Sequence, residues 1–242
     1  MTRTSALVLT RDERGVVTLT VDDAPTRNAL GTAALADIDQ VLADLAADPA
    51  ARVLVLTGAG TVFSSGADRA ELGDPALVER STALLSLVLA RIEDSPVPIV
   101  ARVNGAAFGA GLAIAAAADI SVAANDAVFG LPEVRFGMVA GPAAATCVPR
   151  VGRAAGLDLL LTGRRFGAAE ALRIGLFTTI VDRDRLDAAI EAVIADLLAG
   201  DPVALAATRR LVRRLTPPSL VSSLAIARTL TPAPAGDPGG AP

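Results

Sequence analysis

Three short stretches of this chain hold residue types that can do chemistry. In 104–111 (NGAAFGAG) glycines recur at 105, 109 and 111, and an Ala-rich apolar segment follows to Ala118. A strand that runs through glycines into a helix leaves the first helical N–H groups without intrahelical partners. Such donors hold an anion or a developing oxyanion. In 62–68 (VFSSGAD) small residues and a glycine again expose backbone N–H groups, here ahead of an expected helical turn over 68–72. Two such turns, far apart in the chain, can each aim one N–H at a single carbonyl oxygen, which is the geometry of an oxyanion hole. In 131–134 (LPEV) Glu133 is a carboxylate in an apolar segment. Desolvation would raise its pKa toward neutrality and suit it to general acid/base work. An ion pair to Arg135 or simple solvation explains Glu133 equally well on sequence alone.

The residues the chain lacks narrow the chemistry further. It has no His, Tyr, Trp or Lys, so all 22 of its basic residues are arginine. Ser-His-Asp and Cys-His catalysis, Schiff-base lysines and Tyr-Lys dyads are therefore excluded. The one cysteine, Cys147, can form no internal disulfide, and without histidine no metal site is expected. It sits among Ala and Val and reads as a small buried hydrophobe. A net charge of −4 with 2% aromatic content speaks against a nucleic-acid surface. The longest nearly all-apolar run, 105–118, is shorter than the about 20 residues a membrane span needs. Charges follow too closely behind the first apolar run for a signal peptide. The expectation is a cytoplasmic protein with neither a membrane nor a nucleic acid as partner.

The glycine spacing has other readings. Gly105-x-x-x-Gly109-x-Gly111 after a strand, with Asp126 near the roughly 20-residue offset of a ribose-binding acid, matches a nicotinamide-binding short-chain dehydrogenase fingerprint. A dinucleotide site normally uses the first βα unit, however, and the Tyr and Lys of such enzymes are absent. The blandest reading gives the glycines no role beyond close helix–strand packing.

The elements that would position these residues follow from hydrophobic period. Runs rich in β-branched residues at 6–10 and 16–21 flank the charged turn RDERG, a hairpin signature. A turn-rich loop, 22–30, leads to a helix with Leu35, Ile38, Leu42 and Leu45 on one face, ended by Asp48-Pro49. The segments 53–57 (VLVLT), 97–103 and 119–124 (DISVAA) read as buried strands, and 75–94 as a long helix stopped by Ser95-Pro96. Helices are expected at 142–150, 153–161, 168–174, 185–198, 202–215 and 219–228, with a strand at 178–181. No internal repeat is visible. Strands alternating with helices, then helices alone, indicate an α/β core with a helical C-terminal appendage. The Pro/Gly-rich end, 231–242, cannot bury a core and is expected to be disordered.

FSSGAD at 63–68, NGAAFGAG at 104–111, ADISVAA at 118–124, FGLPEVRFGMVAG at 129–141 and TGRRFGAAEALRIGLFTTIV at 162–181 occur in one order and spacing. That combination resembles the enoyl-CoA hydratase/isomerase (crotonase) family over about residues 5–215. The resemblance implies a ββα spiral core over 1–195, a C-terminal helical trimerisation region over 196–230, and the tail 231–242. It implies homotrimers, often paired into hexamers, and an unsaturated acyl-CoA thioester as substrate. CoA would arrive as part of that substrate, with no separate cofactor. The oxyanion donors would be the N–H groups of Ala67 and Ala110, and Glu133 falls on a catalytic glutamate. Ala29, Gly66, Asp68, Phe108 and Gly109 fall on positions that line the substrate, and Arg27 and Arg69 on positions near CoA phosphates.

Beside the resemblance, Asp68 reads as the cap of the turn it opens. Phe108 and Phe136 read as pocket or core hydrophobes, and Asp119 as structural. Arg209, Arg210, Arg213 and Arg214 read as a solvated basic face, or as a phosphate contact across a subunit interface. Three departures from the family pattern stand out. Its second glutamate falls on Ala113, the centre of its glycine cluster is Ala110, and the helix that closes the acyl-CoA site is shortened. The expected activity is an enoyl-CoA hydratase (a lyase) or, as the single carboxylate favours, an enoyl-CoA isomerase of the kind used in fatty acid metabolism. The alternative is a weakly active or non-catalytic acyl-CoA-binding paralogue.

Overall fold

The computed structural model describes residues 2–3, 6–215 and 219–230; the tail expected at 231–242 lies outside the described residues. β1 (Thr2–Arg3), β2 (Leu7–Arg11) and β3 (Val16–Val21) pair antiparallel in that order, which places the expected hairpin. The two-residue β4 (Ala29–Leu30) precedes α1 (Thr32–Ala46), whose Leu35, Ile38, Leu42 and Leu45 are buried as their spacing predicts. Three ββα units follow. The first is β5 (Val53–Gly58), β6 (Val62–Ser64), a short β7 (Gly66–Ala67) and α2 (Pro75–Asp94). The second is β8 (Ile99–Val103), β9 (Ala106–Phe108) and α3 (Ala110–Ala117). The third is β10 (Ile120–Ala124), β11 (Val128–Gly130) and α4 (Gly141–Thr162). β12 (Arg165–Gly167), α5 (Ala168–Arg173), β13 (Thr179–Val181), α6 (Leu186–Ala199), α7 (Pro202–Leu215) and α8 (Leu220–Leu230) complete the described chain.

The first strand of each unit enters one seven-stranded sheet, ordered β1-β2-β3-β5-β8-β10-β13 and parallel from β3 onward. The second strand leaves it for a four-stranded sheet, β12-β11-β9-β6, while β4 and β7 form a parallel pair of their own. Each unit therefore stacks on the one before, and the chain advances as a ββα spiral. The sequence reading ran the strand at 97–103 straight through its glycines into the helix. In the structure Asn104-Gly105 is instead a corner, and the extra strand β9 delivers the chain to α3.

β5 is apolar at nearly every position because both faces of a parallel sheet are covered. Leu54 and Leu56 lie in the main core with α1, α2 and α3, whereas Val53 and Val55 pack with Leu186, Ile190 and Ile194 of α6. α6 is thus the second cover of the sheet. Arginines hold it there: Arg14 pairs with Glu191, Arg102 with Asp187 at 2.6 Å, and Arg52 donates to the Leu198 and Gly200 carbonyls at 3.4 Å. α3 is buried on all sides, which explains its run of alanines. In α4 the break expected between 150 and 153 falls at Gly152, with φ +77°.

The basic stripe on α7 is not wholly solvated. Arg209 Nε donates to Asp119 Oδ2 at 2.7 Å and Arg213 Nη2 to Asp119 Oδ1 at 3.0 Å. Both guanidinium groups also donate to the Ile92 carbonyl at 3.3 Å, and Arg209 reaches the Ser95 carbonyl. The end of α2 leaves such carbonyls without helical partners, and cations suit that pole of the helix. Asp119, which also accepts the Ile99 N–H at 2.7 Å, is structural as expected. Cys147 is buried as expected, and desolvation pushes its thiol up to about 12. Among the described residues no helix is long and apolar enough to cross a membrane.

Candidate active site

The first half of the site is the turn after β5. Asn28 Nδ2 donates to the Ala59 and Val62 carbonyls at 3.0 and 2.7 Å, and Asn104 Nδ2 to the Gly60 carbonyl at 2.9 Å. Two amide side chains from distant loops therefore set the corner that leads to Ser64. There the Ser64 hydroxyl accepts the Gly66 N–H at 3.1 Å, and Gly66 takes φ +94°. Gly66 and Ala67 then pair with Ala29 and Leu30. The residues after Ala67 do not form the helical turn read from the sequence. They form hydrogen-bonded turns: Asp68 Oδ1 accepts the Ala70 N–H at 2.9 Å, the Asp68 carbonyl accepts that of Glu71, and Pro75 then opens α2. Ala67 and Arg69 are exposed and Asp68 is partly buried.

The second half is the junction of β9 and α3. Gly109 is the N-cap of α3 at φ +49°, and its N–H donates to the Gly130 carbonyl at 3.0 Å. The Gly109 carbonyl accepts the Ala113 N–H at 3.0 Å. Ala110 is the first helical residue, so its N–H is one that the helix itself leaves without an acceptor.

The two halves touch backbone to backbone. A Cβ on Gly66 would stand 2.8 Å from the Phe108 carbonyl oxygen and 3.8 Å from Gly109 Cα. A Cβ on Gly111 would stand 2.7 Å from Ser64 Oγ. Glycine at 66 and 111 is what permits this approach. Ala67 and Ala110 each lie one residue beyond this contact.

Glu133 arrives from the third unit. β11 pairs Gly130 with Phe108, and Leu131 leads into the 3-10 turn Pro132–Phe136, closed by Gly137 at φ +70°. That turn lays Glu133 Oε1 against Gly109, 2.9 Å from where a Cβ would be. Oε2 is buried and makes no hydrogen bond within the described protein. Arg135, the alternative partner, points elsewhere and donates to the Thr162 carbonyl at 3.2 and 3.1 Å. Burial raises the Glu133 carboxyl to about 7, opposed only by its own backbone N–H. An acid of that strength both accepts and returns a proton near neutral pH.

The remaining expected residues divide. Ala29 is buried in the β4–β7 ladder beside Gly66. Arg27 has φ +61° and precedes Asn28 at φ +60°, a strained pair of left-handed residues. Its carbonyl accepts the Ser65 N–H at 3.0 Å while its guanidinium is exposed beside the first turn. The ring of Phe108 packs over Gly130, and the Arg165 guanidinium lies 5.5 Å from its centroid. Phe136 is 55% exposed rather than part of a core. Ala113 is fully buried, one turn beyond Gly109, and offers no second proton-transfer group there. Asp126, the acid of the dinucleotide reading, is held through both oxygens by Arg183 at 2.8 Å. Asn28, Asn104 and Ser64, which shape the turn, escaped the sequence reading; the Asn-Gly corner at 104 was the one visible signal.

Three stacked ββα units, with two strand ends meeting beneath a buried carboxylate from the third, define a crotonase-type spiral enzyme. The sequence model of Enoyl-CoA hydratase/isomerase matches residues 11–235, and on that match the chain belongs to the enoyl-CoA hydratase/isomerase family. The short-chain-enoyl-CoA hydratase of Clostridium acetobutylicum is 32% identical over 211 residues, covering 86% of this chain and 81% of that one. The 2,3-dehydroadipyl-CoA hydratase of Escherichia coli is 31% identical, covering 93% and 89%. A crystal structure of an enoyl-CoA hydratase from Mycobacterium smegmatis superposes with a TM-score of 0.85 at 33% identity, covering 93% of this chain and 89% of that one. Membership of this family displaces the dehydrogenase reading. The chain is an enzyme of hydratase (lyase) or isomerase type.

Proposed function

We propose that this chain moves a proton along an unsaturated acyl-CoA thioester, using Glu133 as its one proton-transfer group. The N–H groups of Ala67 and Ala110 hydrogen-bond the thioester oxygen and stabilise the enolate that forms there. Glu133 as carboxylate removes a proton from C2 of a 3-enoyl-CoA. The C–H electron pair enters the C1–C2 bond and the carbonyl π pair moves onto the thioester oxygen; as the carbonyl re-forms, C2=C3 forms and the C3–C4 π pair takes up a proton at C4. Glu133, now neutral, returns the proton to C4, giving the 2-enoyl-CoA with no net change in atoms or electrons. The step is redox-neutral and calls on no redox cofactor, and CoA enters as part of the substrate.

The observation that carries this reading is the Glu133 carboxylate against Gly109, its Oε2 buried and without a hydrogen bond among the described residues, with alanine at 113. Hydration of a 2-enoyl-CoA by two carboxylates would need an acid that Ala113 cannot supply. The exposed guanidinium groups of Arg27 and Arg69 flank the Ala67 turn and would meet the CoA phosphates. Gly66, Asp68 and Phe108, with Ala29 behind them, would border the acyl-thioester path. The enzyme would work in the cytoplasm as a homotrimer or a pair of trimers.

Turnover of a 3-enoyl-CoA and of crotonyl-CoA, each against Glu133→Gln, tests the reading. Isomerisation that the substitution abolishes supports it, and turnover that Glu133→Gln leaves unchanged overturns it. Ala110 and Ala113 favour a second reading, an acyl-CoA-binding paralogue without turnover. Equal background rates in both proteins with thioester binding intact would establish that one instead.

A further inference from the structure

Glu71 lies outside every role assigned so far, yet its carboxylate is one of the most fully used in the molecule. Its Oε1 and Oε2 accept the Thr32 N–H at 2.8 and 3.0 Å, and Oε2 also accepts the Thr32 hydroxyl at 2.9 Å. The two residues are 39 apart in the chain. Thr32 is the first residue of α1, whose N-cap, Gly31, has no side chain to cap with and whose first turn contains no acid. Glu71 supplies both missing functions from a distance: an acceptor for a stranded N–H and a negative charge at the positive pole of the helix.

The approach is built in on both sides. A Cβ on Gly31 would stand 2.9 Å from Glu71 Oε1 and 3.1 Å from Asp68 Cβ, so glycine leaves the carboxylate its room without displacement. Glu71 also closes its own turn, donating its N–H to the Asp68 carbonyl at 3.1 Å and accepting that of Asp74 at 3.1 Å. Ala67 is therefore fixed twice. On its N-terminal side the β4–β7 ladder sets Gly66 against Ala29 and Ala67 against Leu30. On its C-terminal side the turn is tied to α1 by Glu71. Both ties run to the same stretch, residues 29–32, so the amide of Ala67 is referenced to the start of α1.

We infer that Glu71 is a positioning residue that holds the Ala67 amide on the thioester oxygen; this rests on the oxyanion reading of Ala67. It touches neither substrate nor reacting atoms. Misplacing a group by about an ångström costs on the order of a hundredfold in rate. Loss of the tether should accordingly lower kcat while CoA binding, which does not use the carbonyl, stays the same.

Glu71→Ala should lower kcat by about ten- to a hundredfold with KM and the affinity for free CoA within about twofold. Glu71→Gln, whose side-chain oxygen can still accept the Thr32 N–H, should recover most of the rate. Amide hydrogen exchange in the peptide spanning 66–72 should accelerate in Glu71→Ala and not in the strands of the large sheet. Thr32→Val, which removes only the hydroxyl donor, gives a milder variant should Glu71→Ala fold poorly, with a loss of about threefold in kcat. Unchanged kcat in both variants, or a fall in CoA affinity that matches the fall in rate, overturns the inference. The two failures are separable. A wild-type chain indifferent to Glu133→Gln overturns the reaction, whereas a Glu133-dependent turnover that ignores Glu71→Ala overturns the role of Glu71 alone.

Discussion

Gly109 leaves empty the space that the Glu133 carboxylate needs: a methyl group at 109 would stand 2.9 Å from Glu133 Oε1. The same glycine takes φ +49° and starts the helix whose first N–H belongs to Ala110. Two of the three parts of the proposed machinery thus depend on one missing side chain.

Gly109→Ala should therefore abolish turnover with little loss of fold. The methyl group displaces the carboxylate and opposes the backbone conformation together. A rate lower by at least about a hundredfold is expected. Circular dichroism should read a native spectrum while the activity assay reads the loss.

The raised pKa of Glu133 makes activity depend on pH. Proton abstraction needs the carboxylate, so kcat/KM should rise with pH through about 7 and level off above it. A rate profile from pH 5 to 9 checks this, and an acid limb centred near pH 4.5 would show that Glu133 is solvated in solution.

The same group should make the protein less stable as pH rises. Between 4.5, its ordinary value, and about 7, Glu133 binds more protons folded than unfolded. Stability is then full below that window and falls as pH climbs through it, by an amount on the order of 3 kcal/mol. Glu133→Gln escapes the loss, so its melting temperature should exceed that of the wild type at pH 8 and approach it near pH 4.5. Thermal unfolding at those two values reads the difference.

Asp119 bridges Arg209 and Arg213 at side-chain exposures of 9–19%. Asp119→Ala would leave the part-buried Arg209 without its carboxylate, Arg213 with only Glu93 at 3.5 Å, and the Ile99 N–H without its acceptor. Breaking one side of such a cluster costs about 3–5 kcal/mol. Urea unfolding should read that loss, with α7 the first element to lose protection against hydrogen exchange.

Arg27 is expected to act on binding alone. Arg27→Ala should raise KM for acyl-CoA about five- to tenfold and leave kcat unchanged, as loss of uniform binding does. A pantetheine thioester, which lacks the nucleotide phosphates, should not distinguish the variant from the wild type.

Much of the frame was legible because burial on two faces leaves a plain signature. VLVLT at β5 is apolar throughout since α6 covers what the main core does not. The break at Gly152 and the stop after α2 were visible as Gly and Pro punctuation. The spiral repeat was legible only through the family resemblance and not through periodicity, because β6, β7 and β9 are two or three residues long, too short to carry a period. The state of Glu133 was undecidable locally. What isolates it is a carbonyl at Thr162, which draws Arg135 away across 27 residues. Likewise Arg209 looked like a solvent residue because Asp119 lies 90 positions earlier. Side-chain partners brought together by topology leave no trace in spacing.

The interior placement of Cys147 has a chemical corollary. A thioester is itself an acylating reagent, and amines and thiolates are the nucleophiles it acylates. This chain offers it no side-chain amine at all and keeps its single thiol enclosed and protonated, pushed up to about 12. An enzyme so made can sit saturated with its own reactive substrate and remain unmodified along its side chains.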